Sequence, residues 1–245
     1  MNTSKRLLAN LIMLLAVLCG AGSIALFAFA PAGSLRVMQV QWPLAGVLCW
    51  DAGLSMVFFL QHSGMVRRGF RDRLARFVPP CYHLAIYAIA SGIALAAVVL
   101  FWQPSGRQLL ALDGFLRRAA QGVSLIAVAI FVWGIIALRG FDPFGLAPIR
   151  AHLSGKQEQQ VAFVVRGPYR WVRHPLYFSI LLLFWCYPDL TLDRLLFDIL
   201  WTAWIWAGTT WEETDLTNEF GDAYRRYRRA VPMLIPWRAA TGVAP

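Results

Sequence analysis

Apolar runs of helical length, separated by short charged connections, organise this chain. A window of about 19 residues picks out six, over 7–30, 43–66, 80–102, 119–138, 175–187 and 190–211. In lipid every backbone N–H and C=O has to be satisfied within its own segment, so such runs predict spanning helices. The fifth run is only about 13 residues, and Pro188-Asp189 after it is a turn signal. The pattern therefore predicts a tight helical hairpin from the fifth and sixth runs, tilted or not fully spanning. The first run follows Lys5-Arg6, but about 24 apolar residues exceed a signal-peptide core, so a retained helix is predicted. Beyond the sixth run, Leu216, Phe220, Tyr224 and Tyr227 recur at helical spacing and predict an amphipathic C-terminal helix. The expected fold is all-α and integral to the membrane, a single domain over 1–245. Four transmembrane helices lie in 1–138; a loop, the hairpin and the tail fill 139–245.

Composition supports this reading. The chain is 58% hydrophobic and 15% charged, against about 25% charged for a soluble domain, with a mean hydropathy of +0.54. A soluble helical protein would need polar helix faces that are missing. Charge then sets orientation: with six crossings, 18 Lys and Arg fall on one side and 5 on the other. That asymmetry puts both termini in the cytoplasm, as for a bacterial inner-membrane protein. It also accounts for the net charge of +10 without nucleic acid, because basic residues facing anionic membrane lipids are each worth about 1 kcal/mol. Cys19, Cys49, Cys81 and Cys186 are isolated, and the four histidines are scattered, so neither a disulfide framework nor a metal site is expected.

Certain polar residues need a reason. Asp51 lies inside the second run, where a charge costs at least about 2.5 kcal/mol. It is either a buried carboxyl bonded to a neighbouring helix or a polar group facing substrate. Gln61 and His62 stand near the cytoplasmic end of the same run, and His83 reads as a core histidine. The densest knot is 167–177, with Arg170, Arg173, His174, two prolines and the aromatics Tyr169, Trp171 and Tyr177. Pro175 suits the first turn of a helix, which leaves Arg173 and His174 beside its N–H groups. Tyr169 and Trp171 offer flat faces for a nucleoside or a cation. Such residues also serve as interfacial anchors. Glu212 and Glu213, on the same expected side, shift the balance: two carboxylates at a helix C-terminus oppose its dipole. Either the helix continues, or the pair holds a cation or a ribose hydroxyl.

The order Gly167, Pro168, Tyr169, Arg170, Val172, Arg173, His174, Pro175, Tyr177, followed by Glu212, Glu213, Leu216, Phe220, Gly221, Tyr224, Tyr227, Val231, Pro232 and Pro236, resembles the isoprenylcysteine carboxyl methyltransferase superfamily of membrane methyltransferases. The match covers the C-terminal third of the chain. The resemblance implies that S-adenosylmethionine is held around Phe163, Val164, Tyr169, His174, Pro175, Leu176, Tyr177 and Glu212. Ser179 stands where that superfamily usually has Gly. Members that methylate a prenylated cysteine carboxyl carry an Arg at the place of Gly208, which argues against a carboxylate acceptor. The segments 60–65, 77–80 and 141–146 are more similar to the bacterial branch of methanethiol S-methyltransferases and NnrU-like proteins, though Cys81-Tyr82-His83 departs from its usual Glu-Arg-Ser.

The resemblance thus implies methyl transfer to a small or lipid-soluble acceptor, with a thiol as the first choice. A thiol reacts as its thiolate. Arg173 is the expected group to favour that charge, and His62 the expected proton acceptor. A non-catalytic NnrU-like membrane protein and an NADPH-dependent sterol-type reductase, which shares an Arg-His-Pro-x-Tyr motif, are the alternatives.

Overall fold

The computed structural model describes residues 3–29, 35, 37–156 and 163–238. Among these the chain is mainly helical: α1 (Thr3–Phe29), α2 (Leu44–Val66), α3 (Arg68–Leu74), α4 (His83–Phe101), α5 (Gly114–Ala137), α6 (Leu146–Leu153), α7 (Pro175–Trp185), α8 (Leu192–Phe220) and α9 (Asp222–Ala230). A two-stranded antiparallel ribbon joins β1 (Gln108–Ala111) to β2 (Asp189–Thr191). Four stretches, Thr3–Ala28, Leu44–Val66, Pro80–Phe101 and Gly114–Ala137, are long and apolar enough to cross a membrane. The chain is an integral membrane protein.

The other two apolar runs have different fates. The fifth becomes α7, 11 residues long and so about 16 Å, half of a hydrocarbon core of about 30 Å. The sixth is part of α8, which has 29 residues and buries charge near its start. There Arg194 Nε donates to Asp198 Oδ1 at 3.0 Å, and Nη2 donates to the Phe184 carbonyl at 3.1 Å. α8 runs past Glu212 and Glu213 to Phe220 and stops at Gly221, whose φ of +56° favours glycine. The dipole objection to two carboxylates at a helix end therefore falls away, because the helix continues.

The chain clusters into two compact units whose ranges interleave, Met1–Gly106 with Asp142–Gln160, and Arg107–Phe141 with Val161–Pro245. In the first, α4 packs on both α1 and α2. α1 and α4 meet through Ala9, Ala16, Ala85 and Ala88, and a side chain at Gly92 would strike the backbone of Cys19. Small residues let two backbones approach closely where lipid supplies no hydrophobic drive. Asp51, fully buried, accepts the Gln103 N–H at its Oδ1 from 2.9 Å. Gln103 Nε2 in turn donates to the carbonyls of Met38 and Phe101 at 3.1 and 3.0 Å. The Asp51–Gln103 bond ties α2 to the chain leaving α4.

In the second unit α7 packs on α5, with Leu176 lying over Gly134. The ribbon fastens the α7–α8 turn to the chain entering α5. Leu192 N donates to the Arg107 carbonyl and Leu112 N to that of Pro188, each at 2.9 Å, and Arg117 pairs with Asp189 at 2.5 Å. Strands of four and three residues are too short to leave a periodic signal.

Candidate active site

Local rules shape the 167–177 segment. Gly167-Pro168 opens a single 3₁₀ turn, Gly167–Arg170, and Pro175 occupies the first turn of α7, where a missing N–H costs nothing. Between them the backbone runs beside the chain that follows α9. Arg173 N donates to the Pro232 carbonyl at 2.9 Å and His174 N to that of Met233 at 3.1 Å. Tyr227, on α9, donates its hydroxyl to the Tyr169 carbonyl at 2.6 Å. The loop before α7 and the C-terminal tail are thus one structure. Beneath it lies an aromatic core in which the Phe163 ring packs 5.3 to 5.7 Å from those of Phe220, Tyr224 and Tyr227.

The electrostatic centre is Glu213, its side chain only 4% exposed. Its Oε1 accepts Arg173 Nε at 2.5 Å and lies 3.3 Å from His174 Nε2, while Oε2 lies 3.1 Å from Arg228 Nε. Burial alone would raise its pKa. The bonds from His174 and Arg173, with their charges, outweigh burial and hold the carboxyl below the ordinary glutamate range. Arg173 is correspondingly occupied: Nη1 also donates to the carbonyls of Arg228, at 2.9 Å, and Val231. Successive helical residues point about 100° apart, so Glu212 faces elsewhere. It is 43% exposed, with Oε2 3.8 Å from His174 Nδ1. Burial, and then the Glu212 charge, raise the pKa of the Tyr169 phenol.

These contacts bring together most of the residues expected to hold S-adenosylmethionine. Phe163, Tyr169, His174, Pro175, Tyr177 and Glu212 belong to one neighbourhood, in which the His174 and Tyr177 rings stack 5.7 Å apart. Val164 is exposed. Leu176 turns its side chain onto Gly134 of α5. Arg173 belongs to the same knot as an ion-paired, carbonyl-bound cation. His62 lies on α2 in the first unit, with Nε2 2.7 Å from the Tyr87 hydroxyl. Nearby Gln61 Nε2 donates to Ser91 Oγ at 3.2 Å.

Sequence reasoning singled out Glu212 and Glu213 as a pair, but assigned only Glu212 to the cofactor and gave Tyr224 and Tyr227 no role beyond the motif and the amphipathic tail. All four were visible in the motif, but adjacency did not reveal which glutamate turns inward. The Tyr224 hydroxyl is notable because the residue is 1% exposed and the oxygen has no hydrogen-bond partner among the described residues. After burial, the Glu213 charge acts on it most strongly, followed by Arg173, Glu212 and Arg228. A buried, unmatched hydroxyl costs about 1–3 kcal/mol, so an orphan beside a half-exposed carboxylate and stacked rings fits a polar, aromatic ligand. Among the described residues no cluster of His, Cys, Asp and Glu has the makings of a metal site.

The chain is similar in sequence to known proteins. The chain is 36% identical over 207 residues to the methanethiol S-methyltransferase of Pseudomonas sp. (strain GM41(2012)), covering 82% of this chain and 77% of that one. To the methanethiol S-methyltransferase of Mycobacterium tuberculosis it is 37% identical over 200 residues, 80% of each. Nurim of Bos taurus is more distant, at 27% over 196 residues, 75% of this chain and 73% of nurim. No family model matches the chain, and no solved structure matches it.

Proposed function

The chain belongs to the family of the methanethiol S-methyltransferases, and we propose that it methylates the sulfur of a small thiol with S-adenosylmethionine as donor. The observation that best supports this is the meeting of the 167–177 segment with Glu212 and Glu213 in a chain whose relatives carry that name. S-adenosylmethionine, when bound, supplies a methyl group on a sulfonium, open to in-line displacement by a thiolate.

The chain's own residues then bind, orient and exclude water. Glu212, half-exposed and unclaimed by Arg173, is suited to ribose hydroxyls or the ligand's ammonium. The Tyr224 hydroxyl gives a donor already stripped of water. Tyr169, Tyr177 and His174 give flat faces, and cationic sulfur is attracted to such rings. Phe163 and the exposed Val164 border the same region. Positioning of this kind is the main protein contribution to a displacement in which charge disperses rather than builds.

Arg173 serves a different purpose from the one its charge suggests. With Nε on Glu213 and Nη1 on two carbonyls, it has little field left for a thiol; we assign it the positioning of the tail against the loop. His62, whose Nε2 lies 2.7 Å from the Tyr87 hydroxyl, remains the group proposed to take the thiol's proton. Orientation with both termini in the cytoplasm of a bacterial inner membrane follows from the charge asymmetry. It would deliver the polar donor from the aqueous side and a lipid-soluble acceptor from the bilayer.

The test is calorimetric binding of S-adenosylmethionine and of NADPH to the purified protein, followed by mass spectrometry of products from methanethiol and longer thiols with labelled donor. Binding of the first ligand alone, and a labelled thioether, are expected. Glu212→Gln and Tyr177→Ala should each weaken donor binding about tenfold, the worth of one charge-assisted bond or one ring contact. Unchanged affinity in both would remove the site assignment, and NADPH binding would remove the reaction.

A further inference from the structure

A cleft of about 780 Å³ lies within the first unit, with Tyr87 among its lining residues. It is walled by the C-terminal end of α2, by α3, by the chain entering α4 and by α6. Its interior is mostly apolar, with Met65, Val66, Phe70, Leu84, Pro148 and Ala151 among its lining residues. The charged side chains on it are Arg68, Arg71 and Lys156, with His152 beside them and Asp72 as the lone acid. Among the described residues none of those three cations forms an ion pair.

Position in the chain adds a second constraint. The span formed by α2 ends at Val66, and the next begins at Pro80. A chain that leaves the bilayer by one and returns by the other holds 67–79 at a single membrane face. The cleft therefore lies at headgroup depth, where the apolar and charged parts of a ligand separate. Three unpaired cations over an apolar wall suit a molecule of two halves. Inorganic phosphate would leave the wall bare, and a zwitterionic lipid would set its own cation among Arg68, Arg71 and Lys156. A small neutral thiol would leave both features unmatched.

We propose that this cleft binds an anionic phospholipid. Arg68, Arg71 and Lys156 hold its phosphate and headgroup charge, and the glycerol and first methylenes lie against Met65, Phe70 and Leu84. The two guanidinium groups offer the bidentate geometry that phosphate oxygens accept. The volume suits the headgroup and upper chains, and the tails continue along exposed apolar helix faces such as Leu60 and Val57.

The protein, delipidated in a neutral detergent, would be titrated with dioctanoyl phosphatidylglycerol, dioctanoyl phosphatidylcholine and inorganic phosphate, following thermal unfolding and native mass spectra. Phosphatidylglycerol is expected to raise the midpoint and to remain as a one-to-one adduct, with weaker effects from the other two. Arg68→Gln, Arg71→Gln and Lys156→Gln combined should weaken the phosphatidylglycerol response about a hundredfold, and leave S-adenosylmethionine affinity unchanged. An equal response to phosphatidylcholine would reduce the cleft to an apolar groove. An equal response to phosphate would reduce it to an anion site, and an unaltered response in the triple variant would place the lipid elsewhere. Should the triple variant not fold, Arg71→Gln alone and the wild-type comparison of the three probes decide the matter.

Discussion

Where α1 meets α4, the chain is held by shape: four buried alanines and a glycine at position 92 let the two backbones come together. Where the 167–177 segment meets the tail, it is held by charge. Glu213 gathers Arg173, His174 and Arg228, and Arg173 spans to two carbonyls beyond. The first kind of seam is indifferent to pH and fails when volume is added. The second is indifferent to small changes of volume and fails when one carboxylate loses its charge. A protein that has to admit a charged ligand from water gains from the second kind, because its cations and carboxylates are already oriented.

The largest effect should come from Glu213→Ala. It leaves Arg173, with a side chain 9% exposed, as a buried cation without a counter-charge, a loss of about 3–5 kcal/mol. Thermal unfolding in detergent should show a large drop in midpoint, with loss of donor binding. A midpoint near wild type would mean that the seam is not held by charge at all. Next in size is Gly92→Leu. Its side chain would have to displace the backbone of Cys19, costing about 1–3 kcal/mol or more. Gly53→Leu, on the exposed face of α2 with nothing within 4 Å, should stay within about 0.5 kcal/mol. Equal losses at both positions would show that the shape argument has misread α1 and α4.

The pH response separates the two seams further. The Glu213 pKa is lowered in the folded chain, so its contribution is fully present above the ordinary glutamate value of 4.5. That contribution is lost as pH falls below 4.5 through the folded value. Unfolding midpoints measured downward from pH 6 should therefore fall more steeply for wild type than for Glu213→Gln, which carries no titrating group there. Gly92→Leu should keep the wild-type slope. Parallel slopes in all three would detach Glu213 from acid stability.

The helices were legible where hydrophobicity alone decides them. The runs at 43–66 and 80–102 correspond to α2 and α4, because a membrane leaves few alternatives for an apolar stretch of that length. Bounds slipped where charge interrupts. α5 begins at Gly114 rather than 119 because Arg117 and Arg118 mask its first turn, and α8 outlasts 211 because Glu212 and Glu213 resemble an ending. The ribbon of β1 and β2 left no trace, since seven residues carry no period. In the candidate site, the motif residues lie in one neighbourhood, but the motif could not say which of two adjacent glutamates faces inward, nor that Arg173 is already engaged. Those facts depend on rotation about a helix axis and on Arg228, Val231 and Pro232, some 55 to 59 residues away in sequence.

Tyr224 tests the polar seam most finely, with the smallest expected effect. Its hydroxyl is buried and unmatched among the described residues, so the unliganded protein bears a cost with no return. Tyr224→Phe removes that hydroxyl and keeps the ring against Phe163 and Tyr227. Without ligand the variant should be as stable as wild type or more so, by about 1 kcal/mol. If the hydroxyl is reserved for S-adenosylmethionine, the same change should weaken donor binding about fivefold, the worth of one hydrogen bond. Stability and affinity then move in opposite directions, which a merely structural tyrosine does not produce. A variant that loses stability and binds the donor normally would mark Tyr224 as core alone, leaving Glu212 and the stacked rings to hold the ligand.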